Sequence, residues 1–362
     1  MMHEPPAGRA ARLWSWLDDR IGMSALTPLI KKKSVPVHRH SIWYFLGGMV
    51  LFLFVVQVCT GILMLFYYRP SAGEAYESVQ FLMTQAKFGW LIRSIHVWGA
   101  NLMILVLFIH LFSVWVLKAY RPPRELTWLS GLGLLGLTLG LGFTGYLLPW
   151  NTLSYFATRV GTSMAGVVPV VGPFIERMMR GGKDITGATL TRFYALHTSL
   201  LPGLLFAFLA AHVLLVQRHG MSVPPSVERK GKTRSVPFVP NFLLHDLIGW
   251  LLALGCIAAL AVFFPAELGK KADMFSSAPA GIKPEWYFMA PYQMLKYLPA
   301  KVLGVDGDAF GIVAFSLVAS LLIFIPFLDK PREDGTYQPV WRIAAFGTIA
   351  FLIVFTYIGL KS

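Results

Sequence analysis

Seven apolar stretches, at approximately residues 43–66, 94–117, 127–148, 193–216, 247–264, 309–328 and 342–360, set the terms for this chain. Each is close to the ~20 residues that an α-helix needs to cross a hydrocarbon core about 30 Å thick. The chain is 362 residues long, 56% hydrophobic and only 14% charged, with a mean hydropathy of +0.59. That balance belongs to an all-α polytopic membrane protein rather than a soluble domain. The net charge of +14 would suit nucleic acid if it were gathered in a stripe. It is spread through the loops instead, so membrane lipid is the expected partner and no nucleic acid is expected. More than half of the 32 Lys and Arg fall in segments 1–41, 118–125, 218–245 and 329–342. The bias is modest and favours a cytoplasmic N-terminus. The first 41 residues hold no long apolar run, so no cleavable leader is expected.

Four histidines interrupt the apolar stretches in two pairs, His96 with His110 and His197 with His212. A helix rises about 1.5 Å and turns about 100° per residue. The gap of 14 residues between His96 and His110 is therefore ~21 Å of rise and ~40° short of whole turns, while the gap of 15 between His197 and His212 overshoots by ~60°. Each helix carries two imidazoles on roughly one face, at two depths. The two helices enter the membrane from the same side, so the facing pairs are His96 with His197 and His110 with His212. Two bis-histidine sites stacked across a bilayer are the layout for passing electrons through two haems. The alternative for isolated intramembrane histidines is a proton relay or the lining of a pore.

Glycines echo the histidine spacing. Gly47 and Gly61 lie 14 apart in the first stretch, and Gly131 and Gly145 lie 14 apart in the third. Glycine lets a flat ligand approach the backbone closely; small-residue helix packing is the other reading. Arg93, one turn before His96, is a candidate for a haem propionate or for interfacial snorkelling. Cys59 and Cys256 both sit in apolar runs and are read as packing, and no C-x-x-C-H motif for covalent haem occurs. Residues 9–21 place Leu13, Trp16, Leu17 and Ile21 on one face, an amphipathic helix for the cytoplasmic surface. Together these divide the chain into 1–41, an N-terminal cytoplasmic segment; 42–217, a four-helix di-haem bundle; 218–245, a Pro- and Lys/Arg-containing cytoplasmic linker; and 246–362, three C-terminal helices. Two long loops, 150–192 and 265–301, face the opposite side and are long enough to be functional.

Here a resemblance becomes specific. The runs Phe88-Gly-Trp-Leu-Ile-Arg-Ser-Ile-His96, Glu125-Leu-Thr-Trp128, Thr144-Gly-Tyr-Leu-Leu-Pro-Trp150 and Leu190-Thr-Arg-Phe-Tyr-Ala-Leu-His197 resemble cytochrome b of quinol-oxidising cytochrome bc complexes. The gap from His197 to His212 resembles the shorter cytochrome b6 type. Pro284-Glu-Trp-Tyr-Phe288, Tyr292-Gln-Met-Leu295 and Leu303-Gly-Val305 resemble subunit IV of those complexes, as though two subunits were joined in one chain. The resemblance runs from about Val35 to Leu328. The final stretch, 342–360, is poorly matched to that family's motifs, and its role is left open.

The resemblance implies a subunit of a quinol:cytochrome c (or similar acceptor) oxidoreductase in the cell inner (plasma) membrane, coupled to proton translocation and inactive alone. It implies two non-covalent bis-His haem b groups, a Rieske iron–sulfur partner, a cytochrome c-type acceptor and a homodimer within a larger complex. Quinol would bind between the 150–192 loops and Pro284–Tyr287, with Glu285 as proton acceptor, Tyr287 beside it, and Tyr146, Pro284 and Phe288 as walls. Asp246, with His245, would deliver protons at the cytoplasmic quinone site. The b6 type holds an additional haem through a cysteine near the start of the first helix; Phe45 stands at that position here, and Gln217 replaces an accompanying arginine, so a covalent extra haem is not expected. The competing functions are a di-haem membrane anchor of a dehydrogenase that reduces quinone, and a haem-free transporter.

Overall fold

The structure, a computed structural model, describes residues 8–22, 24, 33–231, 233–333 and 335–362. Seven of its helices are long and apolar enough to cross a membrane: Ser41–Leu65, Gly89–Val116, Glu125–Tyr146, Gly187–His219, Phe238–Phe263, Gly307–Leu328 and Val340–Lys361. They agree with the seven apolar stretches in number and order. In hydrocarbon every backbone N–H and C=O must be bonded within the segment, and a helix achieves that locally.

In chain order the elements begin with α1 (Arg9–Ile21), none of whose residues is buried, and strand β1 (Ser34–Val37). A 3₁₀ turn at Ser41–Tyr44 leads into α2 (Phe45–Leu65). Then come α3 (Ala75–Thr84), α4 (Gly89–Val116) and α5 (Glu125–Tyr146). The first long loop folds into α6 (Thr152–Gly166) and α7 (Gly172–Arg180). The fourth span is α8 (Gly187–Ala195), a π turn over Leu196–Leu200, and α9 (Leu201–His219). The linker holds α10 (Pro225–Glu228) and strand β2 (Arg234–Pro237). Next are α11 (Leu243–Phe263) and α12 (Trp286–Leu295). A two-residue hairpin, β3 (Lys301–Val302) with β4 (Val305–Asp306), precedes α13 (Gly307–Leu328) and α14 (Val340–Lys361).

Helices α2 and α4 pack on each other, as do α5 and α9; α11 lies against α2 and α4, and α12 against α14. The bundle has a loop end, carrying α3, α6, α7 and α12, and a linker end, carrying β1, β2 and residues 118–124. Buried apolar side chains gather at three levels. Trp150, Tyr155, Phe156 and Phe193 fill the loop end; Leu53, Met103, Leu205 and Ile257 fill the middle; Trp115, Tyr120, Trp128 and Ile325 fill the linker end. Large apolar residues such as Leu251, Leu252, Leu317 and Ile353 stay exposed, as helices facing lipid require.

Four features depart from the sequence reading. The fourth span starts at Gly187 rather than near 193, because Thr186 and Thr189 form a capping box that begins the helix inside the expected loop. The fifth helix likewise begins at Leu243, inside the expected linker. The linker is not free: β1 and β2 pair antiparallel, Ser34 opposite Pro237 and Val37 opposite Arg234, so short ladders join an otherwise all-helical fold. Finally, Lys118 at the end of α4 is salt-bridged at 2.5 Å to Asp329 after α13, and both side chains are essentially buried. The Tyr120 hydroxyl donates to the same carboxylate at 2.6 Å.

Candidate functional site: two histidine pairs and a carboxylate-lined cavity

The π turn explains the unequal histidine spacing. A π turn inserts one residue into a helix, and here the Leu201 N–H reaches the Leu196 carbonyl across His197. The fifteenth residue between His197 and His212 is taken up there, so the overshoot expected from a regular helix is removed. His96 and His197 then face each other with ring centroids 6.3 Å apart. Imidazole nitrogen binds a metal at about 2 Å, which puts two axially bound rings roughly 6 Å apart between centroids. One level down, His110 lies against Gly47 and His212 against Gly131. The structure thus brings His96 and His197, expected to face each other from helix direction, together.

Each ring lies against one of the four spaced glycines. A Cβ built on Gly61 would sit 3.5 Å from His96 Cε1, one on Gly47 3.5 Å from His110 Cε1, and one on Gly131 3.3 Å from His212 Cε1. At Gly145 a Cβ would overlap the His197 ring. Three rings are also held at Nδ1, leaving Nε2 free to ligate. His96 Nδ1 is 2.9 Å from Thr60 Oγ1 and His212 Nδ1 is 3.0 Å from Ser130 Oγ. His197 Nδ1 donates to the Leu141 carbonyl at 3.0 Å. Outer-shell bonds of this kind fix the tautomer and orientation of metal-binding histidines. The Nδ1 of His110 is buried and unpartnered among the described residues. Paired imidazoles, glycine cradles and freed ring nitrogens fit an iron porphyrin at each level. Sequence reasoning did not find Thr60, Ser130 and Leu141, although Thr60 and Ser130 each stand immediately before a cradle glycine.

Arg93 is buried, with its guanidinium bonded to the carbonyls of Ala266 at 2.7 Å and Glu267 at 3.2 Å. It joins α4 to the second long loop. The guanidinium has five N–H donors, so a propionate at this end would share a fork already part-used.

At the loop end a cavity of about 400 Å³ opens between the last turns of α5, helix α6 and the Pro284–Tyr292 segment. Tyr146, Pro284, Glu285, Tyr287 and Phe288, the five residues expected at a quinol site, all line it. Phe143, Val160 and Met164 also do; they carried no sequence signal, because apolar residues in apolar helices do not announce which face they present. Glu285 occupies the N-cap position of α12, yet its side chain makes no cap bond, so its carboxylate is not occupied in capping. Burial raises the Glu285 carboxyl above its ordinary value of 4.5. Burial, then the neighbouring Glu285, raises the Tyr287 phenol well above its ordinary 10. At Gly142 a Cβ would lie 2.7 Å from the Tyr287 hydroxyl, so that glycine makes room for the ring.

Asp246 lies elsewhere, at the linker end. It is buried, its Oδ1 has no hydrogen-bond partner among the described residues, and its carboxylate presses on Gly48 where a Cβ would collide with it. His245 is exposed and its Nδ1 is bonded to the Asn241 carbonyl at 2.7 Å. Phe45 stacks on Phe242, centroids 4.7 Å apart and 19° from parallel.

This architecture is shared with known proteins. Residues 30–220 match the family model described as cytochrome b/b6/petB, and residues 271–362 match cytochrome b(C-terminal)/b6/petD; the second match takes in the final helix, Val340–Lys361, correcting the expectation that the resemblance ends near Leu328. The chain is 45% identical over 346 residues to the cytochrome bc complex cytochrome b subunit of Chlorobaculum thiosulfatiphilum, covering 94% of this chain and 79% of that one. It is also 45% identical over 214 residues to cytochrome b6 of Stigeoclonium helveticum, which is 59% of this chain and 99% of that one. A solved structure described as a hyperthermophilic respiratory Complex III superposes with a TM-score of 0.84 at 28% identity, covering 96% of this chain and 91% of its own. The chain belongs to the cytochrome b/b6 family, a family of b-type cytochromes. A b6-like part and a subunit IV-like part are fused in one polypeptide, and the seven apolar helices make it an integral membrane protein.

Proposed function

We propose that this chain is the cytochrome b subunit of a quinol-oxidising bc-type complex, and that it works with a Rieske iron–sulfur protein and a cytochrome c-type acceptor as a dimer in the plasma membrane. The observation that carries this reading is on the last turns of α5. There Gly145 lies against His197, and the next residue, Tyr146, lines the cavity that holds Glu285. Consecutive residues of one helix thus touch the first histidine pair and line the cavity.

Oxidation of a quinol releases two electrons and two protons. Glu285 takes one proton from the bound hydroxyl, a role that suits a buried carboxylate with a raised pKa. Phe143, Tyr146 and Phe288 hold the ring, and Pro284 and Tyr287 shape the wall beside Glu285. One electron leaves to the Rieske partner, the other toward the His96 and His197 level, and the second proton is released to solvent on the loop side. His96 with His197, and His110 with His212, would hold one haem each through their Nε2 atoms, and Gly47, Gly61, Gly131 and Gly145 would leave room for the porphyrin edges. Two b-type haems, when bound, supply one-electron transfer between the two levels of the bundle. At the linker end, which this reading places in the cytoplasm, Asp246 holds a proton for quinone bound near Gly48. The cavity and the second long loop have no role in a dehydrogenase anchor, which needs only the histidine bundle.

The test is to purify the complex with its partners and record the reduced-minus-oxidised spectrum and quinol-dependent reduction of a c-type acceptor. Two b-type components and quinol-driven turnover are expected. Absence of b-type absorbance, or quinone reduction without quinol oxidation, would overturn the reading.

A further inference from the structure

The four histidines follow a local rule with one exception. Three of the four cradle glycines are preceded by a hydroxyl residue: Thr60-Gly61, Ser130-Gly131 and Thr144-Gly145. Each hydroxyl hydrogen is already directed to a carbonyl of its own helix. Thr60 Oγ1 donates to Val56 O at 2.7 Å, Ser130 Oγ to Thr127 O at 3.0 Å, and Thr144 Oγ1 to Gly140 O at 2.8 Å. A hydroxyl has one hydrogen to give. Toward the imidazole each oxygen therefore acts as an acceptor, and the ring's Nδ1–H donates. His197 fits the same tautomer independently, because its nearer partner, the Leu141 carbonyl, can only accept; Thr144 Oγ1 is 3.5 Å away.

The fourth glycine, Gly47, is preceded by Leu46. Its histidine, His110, is the one whose Nδ1 is buried without a partner among the described residues. The ring keeps its distance: the built Cβ positions of Gly47 and Gly61 stand the same 3.5 Å from the Cε1 atoms of their histidines, although the next ring atom met at Gly47 is His110 Nε2 at 3.8 Å, where at Gly131 it is His212 Nδ1 at 3.8 Å. The side chain before the glycine differs as well, and it is the difference a substitution can reverse.

We propose that Thr60, Ser130 and Thr144 are positioning residues that hold three haem-ligating histidines through Nδ1–H, and that residue 46 sets the reduction potential of the haem on His110 and His212. Leucine there leaves one ligand unheld and makes that haem easier to reduce than a hydroxyl at the same place would. The inference rests on the haem-ligation reading above. Its physical basis is that an Nδ1–H donated to an acceptor makes Nε2 a stronger donor to iron. A stronger donor favours the ferric state, and hydrogen bonding around axial ligands is one of the levers a protein has on haem potential.

The experiment is an equilibrium redox titration of the b-type absorbance in the purified complex, comparing the natural chain with Leu46→Ser, Leu46→Thr and Thr60→Val. Leu46→Ser and Leu46→Thr should lower the potential of one haem, with the oxidised-to-reduced ratio at a fixed potential changing on the order of tenfold, the low end for lost outer-shell partners. Tenfold corresponds to about 59 mV for a one-electron couple. The ferric EPR signal of that haem should shift with it, while the other haem stays unmoved. Thr60→Val should raise the potential of the other haem. Full haem content with unchanged potentials in the Leu46 variants overturns the proposal. If those variants lose haem, an unchanged potential in Thr60→Val overturns it. A natural chain that binds no haem would instead overturn the ligation reading, a distinct result.

Discussion

Trp286 donates its indole N–H to Asn101 Oδ1 at 2.7 Å, so the segment bearing Glu285 is moored to the middle of helix α4. The amide is itself oriented, since Asn101 Nδ2 donates to the Val97 carbonyl at 2.9 Å. Phe108 meets the indole edge-on, with ring centroids 6.3 Å apart. A long, mostly irregular loop thus gains a fixed point one residue from its carboxylate.

Replacing Trp286 with Phe should loosen that fixed point. A part-buried amide oxygen left without its donor costs roughly 1–3 kcal/mol. The expected outcome is slower quinol oxidation with a higher KM, while both haem spectra persist. Steady-state kinetics with haem content measured on the same sample checks it, and unchanged kinetics would show that the mooring is unimportant.

Glu285→Gln should slow quinol oxidation by about 10²–10⁴-fold, the usual contribution of a general base, without altering either haem spectrum. The pH profile carries a second sign. Only the carboxylate can accept a proton, and burial lifts its pKa above 4.5. The natural chain should therefore lose activity as pH falls, with a midpoint above that value. The glutamine variant should lack this limb.

Alanine at His110 or at His212 should each remove the same haem and leave the other largely assembled. His96→Ala and His197→Ala should both remove the second one. Haem quantitation and spectra decide the matter, and loss of one and the same haem in His96→Ala and His212→Ala would contradict the facing pairs.

With Phe45 stacked on Phe242, denatured protein should carry no covalently attached haem. Peroxidase staining of a denaturing gel tests this. A stained band at the mass of this chain would refute it.

Lys118 and Asp329 should be costly to separate. Removing one partner of a buried ion pair leaves an uncompensated charge and typically costs about 3–5 kcal/mol. Asp329→Asn or Lys118→Met should lower the temperature at which the solubilised complex loses its haem spectrum. The double variant Lys118→Met/Asp329→Leu should recover part of that loss, and a thermal midpoint unchanged by either single replacement would speak against the pair.

The parts legible in the sequence were those encoded by length and period. Seven apolar runs announced seven spans, and His96, His110, His197 and His212 announced two levels within them. The Pro-Glu-Trp-Tyr run marked Glu285 through its resemblance to subunit IV of cytochrome bc complexes, a reading that a carboxylate in a semi-apolar loop supports. What stayed hidden depended on register or on distant partners. The π turn at His197 cannot be read from an even apolar pattern, because adding one residue to a helix leaves its composition unchanged. Lys118 and Asp329 each look like ordinary membrane-flank charges until the fold brings them together. The Thr and Ser residues before three of the glycines were visible, but a hydroxyl in an apolar helix ordinarily bonds its own backbone, and these do that as well.

The pairing of β1 with β2 alters what the fusion of the two parts means. The first strand precedes the first span and the second precedes the fifth, so the ladder from Ser34–Pro237 to Val37–Arg234 crosses from one part to the other. Together with the Lys118–Asp329 contact, it forms a joint that does not depend on the peptide bonds of the linker. A chain nicked near Lys230 would keep its halves engaged. The covalent connection acts instead as a tether: it enforces equal numbers of the two parts and turns their meeting from a search through the membrane into a local event at high effective concentration.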